Sequence, residues 1–306
     1  GRGEERRRIP VSEFVLGPYD TALAPGELVV RVEVPPVPAG AGMAHLRFAF
    51  HERPAATVSV LARVAGGEIA EAREANPRLR LLLGHGSGSF GHVTAKQHGT
   101  RAGVRAPEQW RGFAETAKVA GELNRLVVEA LWAAGVPALR LQPSASARCR
   151  DGELRSLADR PICEAIEHGL LPVVHGDVAF DEVRGGTIIS TEEIFAHLAP
   201  RLRPARIILA GEVEGVLTAD PASGVAGEMI PLITRANLAD VEAALGGSRG
   251  ADVTGGMATK VREMVGLAER VEGLREIRIL SGLRPGLTRD ALLREDVAEG
   301  TRIRAR

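Results

Sequence analysis

From about residue 60 onward, short apolar runs alternate with segments of helical periodicity. The runs are "LRLLLG", "VPALRLQP", "LLPVVHGD", "ARIILAGEVEGVL" and "EIRILSG". Between them lie "PEQWRGFAETAKVAGELNRLVVEALWAAG", "RPICEAIEHG", "STEEIFAHLAPRL", "NLADVEAAL" and "MATKVREMVGLAERV". An apolar run closed by glycine suits a buried strand, and the longer periodic segments suit amphipathic helices. Such alternation predicts an α/β fold: a three-layer sandwich whose central sheet is mostly parallel and covered on both faces. In that architecture ligands bind outside the carboxyl ends of the strands. The long helix is expected to end at Gly135, and the helix beginning near 190 to be capped by Ser190 or Thr191.

Three strand ends carry chemistry. "GHGSGSFGHVTAK" (84–96) is a glycine-rich turn between a strand and a helix. Gly84, Gly86, Gly88 and Gly91 let the backbone approach a ligand, and free N–H groups at a helix N-terminus bind phosphate. His92 can donate to the same anion. "HGD" (175–177) and "AGEVEG" (210–215) also follow strands and can line the same crevice.

Of the 39 basic residues, three are lysine: Lys96, Lys118 and Lys260. An ammonium is a compact charge that can follow a moving phosphoryl group, unlike a planar guanidinium. Lys118 reads as an ordinary surface residue. Basic and acidic residues balance at 39 each and aromatics are 3%, which argues against a nucleic-acid or anionic-membrane partner. Cys149 and Cys163 lack metal-ligand spacing and read as reduced cytosolic thiols. No apolar run is long enough to span a membrane, and no signal peptide opens the chain, so a cytoplasmic location is expected.

With these motifs in this order, residues from about 60 to 306 resemble the amino acid kinase superfamily, most closely the isopentenyl phosphate kinases. The stretches that carry the resemblance are 84–96, "LPVVHGDVAFDEVRGGTIIS" (171–190), "LAGEVEGVLTADP" (209–221) and "ADVTGGMATKV" (251–261). The resemblance implies ATP-dependent phosphorylation of isopentenyl phosphate to isopentenyl diphosphate, with Mg²⁺. Other phosphate or phosphonate acceptors, or a catalytically weak kinase-like binding protein, are the alternatives. It further implies that Gly86, His92, Gly176 and Asp177 serve the substrate phosphate. Ser87, Gly88, Glu192, Glu212, Gly215, Gly256 and Lys260 would serve ATP, with His92 and Lys260 catalytic and no protein-held metal. Trp110 and Phe113 are candidates for the isoprenoid tail pocket, or else ordinary core. Relatives commonly dimerise, so a homodimer is expected.

Residues 1–58 differ in composition, with turn signals, β-type alternation in "ELVVRVEVP" and a Pro/Gly-rich stretch. They resemble the C-terminal part of the FAD-binding medium subunit of molybdenum hydroxylases, without its flavin-binding loops. The chain therefore reads as a junction of two genes, with a kinase domain over 59–306. That domain lacks the family's first strand and its Lys-x-Gly-Gly-Ser loop, and residues 1–95 contain no lysine.

Overall fold

The computed structural model describes residues 7–9, 14–17, 20–24, 55–86, 94–219, 227–245 and 256–306. The chain divides into two compact units, Gly1–Met43 and Ala44–Arg306. In the first, β1 (Val15–Gly17) and β2 (Asp20–Thr21) form an antiparallel pair. The expected strand "ELVVRVEVP" and the rest of 25–54 lie outside the described residues.

The second unit opens with α1 (Ala55–Ala75), which runs across the expected 58/59 boundary, and β3 (Leu83–His85). Then come α2 (Pro107–Ala133), β4 (Ala138–Arg140), β5 (Arg148–Arg150), β6 (Glu153–Ser156) and α3 (Arg160–Glu167). β7 (Leu171–His175), β8 (Asp177–Asp181), β9 (Gly185–Ile189), α4 (Thr191–Leu202) and β10 (Arg206–Gly211) follow. The last elements are β11 (Leu232–Ile233), α5 (Leu238–Leu245), α6 (Gly256–Arg270), β12 (Glu276–Ser281), α7 (Leu287–Leu293) and β13 (Thr301–Ile303).

The layers follow from the two-residue period of the strands. On β7, Leu171 and Val173 pack with Leu123, Val127 and Leu131 of α2 and Ile69 of α1. Val174, pointing the other way, packs with Ile162 of α3 and Ile194 and Leu198 of α4. In the C-terminal half, Ile277 and Ile279 face Val261, Met264 and Val265 of α6, while Leu280 faces Leu287 and Ala291 of α7. Helices therefore cover both faces, as expected. Among the described residues the parallel sheet is in two pieces, ordered β3-β7-β4 and β10-β12-β13-β11. β3 and β10 each carry one hydrogen-bonded neighbour there. β13 runs antiparallel to β12, and a third sheet, β6-β5-β8-β9, is largely antiparallel.

The predicted helix ends hold. Gly135 takes φ 79°, a conformation that costs glycine little. Ser190 caps α4: its hydroxyl accepts from Glu193 N (3.1 Å), and the Glu193 carboxylate accepts from Ser190 N (2.5 Å).

Candidate active site

Three motifs meet at one backbone carbonyl. β3 and β7 are parallel neighbours with His85 opposite His175, so their carboxyl ends lie side by side. The His85 carbonyl accepts from Gly176 N (3.1 Å) and from the Thr191 hydroxyl (2.6 Å). The start of the glycine-rich turn is thereby tied to the "HGD" turn and to the N-terminus of α4. Gly84 belongs to β3 rather than to the loop. A Cβ there would sit 2.5 Å from the Thr191 methyl and 2.7 Å from the Phe195 ring, so this glycine lets α4 lie directly on the strand. Gly86 leaves the strand exposed to solvent. Ser87, Gly88, Gly91 and His92 lie outside the described residues.

Behind this junction the two imidazoles stack, with centroids 5.5 Å apart and planes 10° off parallel. His85 Nδ1 is 2.8 Å from the Gly86 carbonyl, and its Nε2 is 3.0 Å from Asn124 Nδ2. Neither ring nitrogen of buried His175 has a hydrogen-bond partner. Burial, and then the Arg140 charge, push the His175 pKa down to about 4. His85 is also lowered to about 4, by burial and the neighbouring His175 against its bond to Gly86. The 3.7 Å approach of His175 Nε2 to Asp177 Oδ2 is thus no ion pair at neutral pH. Asp177 accepts from Ser144 N (3.0 Å) and Val178 N (2.8 Å), fixing the loop after β4 against β8. Burial raises its pKa despite these bonds.

Lys260 lies one turn into α6, which begins at Gly256, and its Nζ meets Oε1 of Glu192, in the first turn of α4, at 2.8 Å. Both side chains are partly exposed, so the lysine is held but accessible to an anion. Glu193 reaches Arg101 at 3.6 Å. A cleft of about 570 Å³ adjoins the pair, lined by Glu192, Glu193, Glu263, Arg235 and Arg262. Burial and then the neighbouring Glu193 and Glu192 raise the Glu263 pKa. Among the described residues, no three His, Cys, Asp or Glu side chains are grouped to hold a metal ion.

Other expected residues fall elsewhere. Glu212 is exposed just after β10. Gly215 packs on the C-terminal strand, where a Cβ would meet Thr301 Oγ1 at 2.8 Å. Phe113 is buried with Val104 and Val178, and Trp110 and Phe180 complete an aromatic cluster with centroids 5.3–5.8 Å apart. Lys96 and Lys118 are exposed. Sequence reasoning missed His85, Asn124 and Thr191. A polar Asn124 on the apolar stripe of the long helix was the available signal.

The sequence profile described as the amino acid kinase family matches residues 57–281. The chain belongs to that family. It is 37% identical over 258 residues to the isopentenyl phosphate kinase of Methanothermobacter thermautotrophicus, covering 82% of this chain and 92% of the relative. The Haloferax volcanii isopentenyl phosphate kinase is 41% identical over 189 residues, covering 61% and 72%. A crystal structure of an isopentenyl phosphate kinase superimposes with TM-score 0.67 at 33% identity, covering 82% of this chain and 93% of that one.

Proposed function

We infer that this chain transfers the γ-phosphoryl group of ATP to isopentenyl phosphate, forming isopentenyl diphosphate and ADP. The 37% identity running through 92% of a curated isopentenyl phosphate kinase carries this reading. The geometry is consistent with it: a glycine-rich strand end for one phosphate, and a lysine one helical turn from Gly256 for another. Phosphoryl transfer asks mainly for in-line positioning and neutralised charge. The acceptor oxygen is already anionic at neutral pH, so no general base is required. By the family resemblance, His92 and Gly86 hold the acceptor phosphate, while Ser87, Gly88, Gly256 and Lys260 hold ATP. Glu192 keeps the Lys260 ammonium oriented at 2.8 Å until a phosphate displaces it. Asp177 shapes the acceptor loop from behind. By the family resemblance, Mg²⁺ would arrive on the ATP phosphates, where it would neutralise charge on the transferred group.

Residues 1–58 are read as a grafted segment of molybdenum hydroxylase type that supplies no Lys-x-Gly-Gly-Ser loop, so turnover is slow. A homodimer formed over the exposed Trp132 and Leu139, beside the β4 edge, is also proposed. Light scattering giving a monomer mass excludes it. Among the described residues no helix is long and apolar enough to cross a membrane.

The test is turnover of the full chain with ATP, Mg²⁺ and isopentenyl phosphate, read as ADP and isopentenyl diphosphate. ADP release that does not depend on isopentenyl phosphate overturns the reading.

A further inference from the structure

We propose that Asn124 and His85 are positioning residues for phosphoryl transfer: Asn124 holds His85 in its Nδ1–H tautomer, and His85 holds the Gly86 carbonyl where the glycine-rich turn leaves β3. This rests on the kinase reading of the same crevice.

The tautomer follows from the contacts. His85 Nδ1 lies 2.8 Å from a carbonyl oxygen, which can only accept, so Nδ1 carries the proton. A neutral imidazole has one N–H, so Nε2 is the acceptor, and it faces the Asn124 amide nitrogen at 3.0 Å. A second proton on Nε2 would oppose that amide N–H. Asn124 is 3% exposed in the middle of the apolar face of α2, between Leu123 and Val127, where an asparagine must be satisfied. His85 satisfies it.

The lock has a second half. The His85 carbonyl accepts from Gly176 N (3.1 Å) and the Thr191 hydroxyl (2.6 Å). His85 is thus fixed through its backbone, both ring nitrogens and the stacked His175 ring. Gly86, with no side chain of its own, takes its direction from the imidazole that grips its carbonyl. Small displacements of phosphate-holding groups are costly in rate. Burial keeps the ring neutral across the physiological range.

Among the described residues, the titratable and charged groups facing His85 are few. His175 stacks on it from β7, with Arg140 of β4 and Asp177 of β8 beyond that ring. From α2 comes the uncharged Asn124.

The experiment uses the full chain labelled with ¹⁵N-histidine, with MgATP and isopentenyl phosphate as probes. Long-range ¹H–¹⁵N spectra are expected to show His85 neutral and protonated on Nδ1 at pH 7. Asn124→Asp places an acceptor at Nε2 and is expected to turn His85 into the doubly protonated form in the same spectra. The amide of asparagine can replace Nδ1–H but cannot reach Asn124. His85→Leu is therefore expected to lower kcat/KM by about 10²-fold and His85→Asn by about tenfold at most. An Nε2–H tautomer in the unaltered chain overturns the proposal, as does equal impairment of the Leu and Asn variants. Should the unaltered chain not turn over, the kinase reading fails; the tautomer and the binding of isopentenyl phosphate in the same spectra still decide this inference.

Discussion

Two buried polar sites in the kinase unit sit at opposite extremes. In β12, Glu276 and Arg278 are 3% and 2% exposed, and every donor of the guanidinium is used. Arg278 Nε and Nη2 meet Glu276 Oε1 at 3.2 and 3.0 Å, and Nη2 also reaches the Glu295 carbonyl at 3.1 Å. Nη1 donates to the Val297 carbonyl and to that of Glu299. Arg304 Nη2 reaches the other carboxylate oxygen, Glu276 Oε2, at 3.3 Å, while its own buried Nε is unpaired. At the end of β7, by contrast, His175 is 2% exposed and neither ring nitrogen is bonded. Burying a polar group without a partner is costly, so saturation marks a structural pin, and a deficit marks a place where stability has been given up. The saturated site ties the C-terminal segment to the sheet. The deficient one lies beside the junction at which the His85 carbonyl ties the start of the glycine-rich turn to Gly176 and Thr191.

The largest expected effect breaks the saturated site. Glu276→Ala leaves a buried guanidinium without its carboxylate and costs about 3–5 kcal/mol. Thermal denaturation should show the loss, while kcat measured below the new transition stays near its original value. A comparable fall in kcat of the folded variant would show that this region is not purely structural.

Next in size is the missing loop. Replacing residues 1–58 with a strand carrying Lys-x-Gly-Gly-Ser should raise kcat by about 10²–10³, equivalent to about 2.7–4 kcal/mol in the transition state. If the chain already matches the repaired protein, another residue performs the lysine's task.

The deficient site should announce itself in acid. Both histidines have folded pKa values near 4, below the ordinary 6.5. The unfolded chain then binds more protons between those values, so stability is complete above about pH 6.5 and falls as pH drops toward 4. The slope is up to roughly 1.4 kcal/mol per histidine per pH unit. Asp177, raised by burial, works in the opposite sense, adding stability at low pH that fades as pH rises through its folded pKa. His175→Asn should flatten the slope measured by urea denaturation; an unchanged slope would place the acid sensitivity elsewhere.

The smallest effect concerns thiols. Burial, then Asp181 and Glu193, push the Cys149 pKa up to about 11. Iodoacetamide at pH 8 should modify Cys163 and spare Cys149 in the native protein, as read by mass spectrometry. Equal labelling would mean that the Cys149 region opens.

Much of this was legible in the sequence, for identifiable reasons. The buried strands and amphipathic helices announce themselves by period, and Ser190 and Gly135 mark helix ends by backbone chemistry that acts locally. The β8–β9 hairpin was not anticipated, although "VAFDEVRGGTII" alternates around a turn and Gly185 takes φ 78°. The motif glycines were legible as glycines but not in their roles. Gly84 makes room for a helix and Gly215 for a strand, and both depend on elements distant in sequence. The Asn124–His85 contact joins residues 39 apart and leaves no local trace.

In the proposed function the crevice holds two ligands, the acceptor toward His85 and His175 and the nucleotide toward Lys260 and Glu192. Calorimetric titration of the unaltered chain, Lys260→Ala and His92→Ala with isopentenyl phosphate and with a non-hydrolysable ATP analogue tests this most directly. Lys260→Ala should weaken the analogue and leave isopentenyl phosphate nearly unchanged. His92→Ala should do the reverse, losing a charge-assisted bond of about 1.5–3 kcal/mol. Equal weakening of both ligands by either variant would contradict the division.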